Sequence, residues 1–95
     1  MPISIEKITQ SIQQHLSDNA VLKVVDESHM HYGHQVHNPA VGVTHVAVTI
    51  VCKTFEGVSS IQRQRMVNTW LAELFRGGLH AVSYTLKTPG EITHL

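Results

Sequence analysis

The chain has 95 residues, 42% hydrophobic and 15% charged, and its formal net charge is zero with the histidines neutral. Such a composition fits one globular domain over residues 1–95 with one small core, and speaks against a disordered segment, a membrane span of roughly 20 apolar residues or a strongly basic nucleic-acid binder. One cysteine excludes an internal disulfide, and eight histidines are the compositional oddity.

The opening MPISIEKITQ lacks the charged and apolar regions of a secretory signal. With the lone cysteine, this leads to the expectation of a cytoplasmic or similarly reducing location. Ser4 is placed to cap a first helix in which Ile5, Ile8, Ile12 and Leu16 recur at helical spacing, with Glu6 near the positive end of the dipole; that helix should close around Ser17-Asp18-Asn19. Val21 to Ser28, VLKVVDES, alternates as a first strand, Leu22 and Val24 on one face and Val21, Lys23 and Val25 on the other.

From His29 to Thr44 the chain reads HMHYGHQVHNPAVGVT, where Gly33, Asn38-Pro39 and Gly42 break any period and predict a long loop. A second strand, His45 to Cys52, places Val46, Val48, Ile50 and Cys52 on its core face and His45, Ala47, Thr49 and Val51 on the opposite one. The central helix has Ser59 as N-cap with Gln62 three residues on, and its apolar stripe is Val67, Trp70, Leu71, Leu74 and Phe75. Arg63, Gln64, Thr69 and Glu73 are expected on its wet face. Gly77-Gly78 should end it, His80 to Leu86 follow as a third strand, and Thr88-Pro89-Gly90-Glu91 has the order of a helix opening. A strand, helix, strand unit prefers a parallel crossover, so strands two and three should be parallel and strands one and two antiparallel. The predicted order is α-β-β-α-β: a three-stranded mixed sheet covered on one face by helices.

Several residue groups invite chemistry. His29, His31, His34 and His37 fall close together in the loop, at spacings that suit Zn, Cu or Ni, although a solvated loop is the plainer reading and the thiolate pairs of a zinc finger are missing. His80 follows a helix end, where its plain reading is a partly buried imidazole bonded to free carbonyls. Cys52 shares the core phase and should be an inert core residue. Lys53, Arg63 and Arg65 gather at the start of the central helix, where a solvated face is the plain reading of such charges. No grouping of nucleophile, base and orienter is visible, so the chain is expected not to be an enzyme.

The blocks VVDESHMH, THVAVTIV, FEGVSSIQRQRMVN, LHAVS and KTP, in this order, resemble the BolA family, small α/β domains related to the class II KH fold. The chain departs from the family pattern at Arg63-Gln64-Arg65, where Arg-His-Arg is usual, and in a loop before Thr44 that is longer by several residues. The resemblance implies a 2Fe-2S cluster shared with a monothiol glutaredoxin, to which the partner's cysteine and glutathione give thiolates. Carried onto this chain, it implies His80 as one ligand and His31 as the second, with His29, His34 and His37 as alternates. One cysteine cannot supply four thiolates, so no cluster is expected in the isolated chain. The family is also described as binding DNA and regulating transcription, which would use Lys53, Arg63 and Arg65; the glycine pair of a KH clamp is absent at Gly57-Val58-Ser59-Ser60.

Overall fold

The helical and alternating stretches take the predicted order in a computed structural model that describes residues 2–28 and 42–92. Helix α1 spans Ile5–Gln13; Ser4 caps it by accepting the Lys7 N–H at 3.1 Å, and Ile8 and Ile12 are its buried stripe. It stops short of the predicted end, and Asn19 turns the chain with a φ of 68°, a conformation that asparagine tolerates. Strand β1 is Val21–Asp26, β2 is His45–Val51 and β3 is Ala81–Lys87. The sheet order is β1-β2-β3, antiparallel between β1 and β2 and parallel between β2 and β3, as the connections required.

Strand β1 ends two residues before the predicted boundary because the Asp26 carboxylate accepts the Ser28 N–H at 2.9 Å and bends the chain. Strand β2 stops before Cys52, whose thiol accepts the Thr54 N–H at 3.5 Å as the cap of a 3-10 turn over Lys53–Phe55. His80 lies just outside β3, since its N–H and that of Ala81 both donate to the Thr44 carbonyl, at 2.8 and 3.1 Å.

The central helix is two segments, α2 over Ser60–Trp70 and α3 over Ala72–Arg76, divided at Leu71 with φ −100° and ψ 7°. Ser59 caps α2 by accepting the Gln62 N–H. Glycine closes α3 as expected: Gly78 has a φ of 120°, its N–H donates to the Phe75 carbonyl, and the Leu79 N–H donates to the Leu74 carbonyl. Pro89–Glu91 forms a single 3-10 turn rather than an α-helix.

Both helical layers lie on one face of the sheet, α1 over β1 and α2 over β3. Between them Ile8, Ile12, Val46, Val48, Ile50, Cys52, Phe55, Val67 and Leu71 are buried, with Trp70, Leu74 and Phe75 packed against them. Each fully buried Val, Leu or Ile is worth about 1.5–3 kcal/mol. Val21, 56% exposed, and Val25, 40% exposed, mark the uncovered face.

The expectation that Arg63 lies in water is corrected. It is buried, because it stands four residues before Val67 and eight before Leu71, on the same stripe of the helix. Its Nε donates to the Val58 carbonyl at 2.8 Å and its Nη1 to the Leu86 carbonyl at 3.0 Å, while Glu91 accepts from Nη1 at 2.7 Å and Nη2 at 3.4 Å. The guanidinium also lies over Phe55, 5.8 Å from the ring centroid. This fork ties the first turn of α2 to the end of β3 and to the last turn.

Candidate functional site

Because β2 runs parallel to β3 and antiparallel to β1, the starts of β2 and β3 and the end of β1 meet at one end of the sheet, with Asp26 opposite Val46 and His45 opposite Ala81. There a polar knot forms around Ser28, buried at 2% exposure. Its hydroxyl accepts the Thr44 N–H at 2.9 Å and the His45 N–H at 3.2 Å, and the His45 carbonyl accepts the Glu27 N–H at 2.8 Å. Val43 donates to the Ile3 carbonyl at 2.9 Å, and Ile3 and Gly42 form a parallel bridge, so the N-terminal residues brace the approach to β2. Gly42 has a φ of 84°, and a Cβ there would fall on the Ile3 carbonyl.

His80 is exposed at this end, where the plain reading had a partly buried histidine bonded to the carbonyls of the helix terminus. Its backbone is held by Thr44, and its ring lies on that of His45, centroids 5.0 Å apart and planes 27° apart. His45 itself is 8% exposed, and its Nδ1 is 2.9 Å from the Thr44 hydroxyl. The alternation had placed His45 on the uncovered sheet face without assigning it a task; the signal that could have found it was its register opposite the start of strand three.

His29, His31, His34 and His37 lie outside the described residues. What is described is both flanks of their segment: the Ser28 hydroxyl accepts the Thr44 N–H, and the Thr44 carbonyl in turn accepts the His80 N–H. Among the described residues no group of three or more His, Cys, Asp or Glu side chains could hold a metal ion. Cys52 cannot join His80: it follows β2 at the other end of the sheet, roughly 23 Å from His45 at about 3.3 Å per residue. It is buried, its thiol donating to the Thr54 hydroxyl at 3.2 Å with Ser17 Oγ at 3.3 Å. Burial would push the thiol up, but the hydrogen bonds of Ser17 and Thr54 outweigh it and bring it down to about 7. The nitrogen donor that this end presents to solvent is the His80 imidazole, a group able to stand in place of a thiolate at a 2Fe-2S cluster.

Of the three basic residues proposed for nucleic acid, Lys53 and Arg65 are exposed and Arg63 is engaged internally with Glu91. A face built on all three thus loses its middle member. No helix among the described residues is long and apolar enough to cross a membrane.

A family profile described as BolA-like protein matches residues 12–91. The chain is 40% identical over 72 residues to a Sinorhizobium protein named for its place in the cobS 5′ region, covering 76% of this chain and 77% of that one. It is 39% identical over 84 residues to mouse BolA-like protein 1, covering 88% of this chain and spanning 57% of the mouse protein. Among solved structures, the BolA domain of SufE1 from Arabidopsis thaliana superposes with a TM-score of 0.80 at 32% identity, over 95% of this chain and 99% of that one. The small α/β architecture with its three-stranded mixed sheet is that of these domains.

Proposed function

The chain belongs to the BolA-like protein family, and on that premise we propose that it is a non-catalytic adaptor that pairs with a monothiol glutaredoxin and co-ligates a shared 2Fe-2S cluster in iron-sulfur and iron homeostasis. The observation that carries this reading is the placement of His80: exposed, and anchored through its N–H to Thr44, which follows the segment that holds four further histidines. His80 would give one imidazole, and His31 the second, with His29, His34 or His37 in its place if the segment's path favours them. When bound, such a cluster supplies one-electron chemistry, at a potential raised by imidazoles standing where thiolates would otherwise be. Glutathione and the partner's cysteine would complete the ligand set.

The test is to titrate the chain into cluster-loaded monothiol glutaredoxin and follow visible absorption and circular dichroism. The expected result is a changed spectrum with wild type and none with His80→Ala. A spectrum that wild type leaves unchanged, or that His80→Ala changes equally, overturns the reading.

A further inference from the structure

We infer that His45 is a positioning residue for His80: the buried ring of the first residue of β2 is the surface against which the exposed imidazole is held in one orientation. This rests on the ligand reading of His80 given above and goes beyond it, because His45 would act through His80 and not on the metal.

An exposed histidine on a strand end has little to fix its side chain, and a ligand that must be ordered on binding loses affinity by the entropy of that ordering. The structure supplies order in two ways. The Thr44 carbonyl takes the N–H of both His80 and Ala81, which fixes the backbone from which the ring projects. The Thr44 side chain meets His45 Nδ1 at 2.9 Å, which fixes the ring on which His80 lies. Thr44 thus touches both halves of the stack. His45 is further held by its backbone, with Ser28 Oγ accepting from its N–H and Glu27 donating to its carbonyl.

The separation of 5.0 Å and the angle of 27° are those of two rings in offset contact, an arrangement that restricts the outer ring while leaving it open to solvent. Histidines that bind metals are commonly oriented by such outer partners, whose loss lowers affinity by about 10 to 100-fold. Here the support comes through a ring face and not through a hydrogen bond to the ligand ring.

Two variants separate ring support from mere filling of space. His45→Leu retains bulk and removes the flat face, whereas His45→Phe restores it. In the isolated chain, NMR couplings across the His80 χ1 bond and contacts between the two rings should report one rotamer in wild type, averaging in His45→Leu and recovery in His45→Phe. Thr44→Val, which keeps the stack but removes the hydroxyl at Nδ1, should give intermediate averaging and serves if His45→Leu does not fold. With cluster-loaded monothiol glutaredoxin, the circular dichroism titration should shift about tenfold to weaker binding in His45→Leu and by less than about threefold in His45→Phe. Unchanged His80 couplings in both His45→Leu and Thr44→Val overturn the inference. A wild-type chain silent towards glutaredoxin, with His80 still averaging in His45→Leu, overturns the ligand reading and supports the ring positioning.

Discussion

At one end of the sheet Thr44, Ser28 and His45 use short hydrogen bonds to present an exposed imidazole, while at the other Arg63 and Glu91 use a charged fork to close the domain. The first end spends its polar groups on orientation and leaves the His80 imidazole in water. The second draws a guanidinium out of water and satisfies it with two carbonyls and a carboxylate. The contrast teaches that residue type is a poor guide to role in this chain: the arginine is internal structure and the surface histidine is the candidate for chemistry.

The largest effect that would break this comparison is at Arg63. Removing its guanidinium leaves the Val58 and Leu86 carbonyls and Glu91 without their partner, so Arg63→Ala should cost about 3 kcal/mol in urea unfolding. Arg65→Ala, on the exposed side of the same helix, should stay within about 0.5 kcal/mol. Equal effects from the two would erase the distinction between the ends.

Next is the brace at the histidine end. Gly42→Ala requires a left-handed conformation and places a methyl group on the Ile3 carbonyl, so it should cost about 2 kcal/mol and lower the hydrogen-exchange protection of the Val43 amide. Unchanged protection would mean that the N-terminal residues do not hold this end.

The smallest effect is in acid. The Arg63 guanidinium, joined by the Thr88 N–H, brings the Glu91 carboxyl from an ordinary 4.5 down to about 2. A depressed carboxylate stabilises the fold above its unfolded value, so this contribution is present above about pH 4.5 and fades as pH falls towards 2. Its carboxylate is 44% exposed, so solvent and salt screen it. Glu91→Gln should flatten part of the loss of stability between about pH 4.5 and pH 2. An identical slope in both proteins would show that Arg63 is held by the carbonyls alone.

Element order, strand pairing and the covered face were all legible, because β-branched alternation in β2 and the caps at Ser4, Ser59 and Gly78 report local physics. Arg63 was misread because its charge was weighted above its spacing of four from Val67. His80 was singled out through a family resemblance and not through periodicity. His45 and Ser28 were missed as supports since their roles come from contacts across 16 or more residues, which no local pattern encodes. The division at Leu71 had no breaker residue to announce it.

The bond between Ser28 and Thr44 has a consequence for how such chains can drift over evolutionary time. It holds Ser28 and Thr44 together whatever number of residues separates them in sequence, and lengthening that stretch costs the closure entropy of the added chain, roughly 0.6 kcal/mol for each doubling. A longer or shorter stretch between these two residues can then be carried while the scaffold beneath keeps its stability.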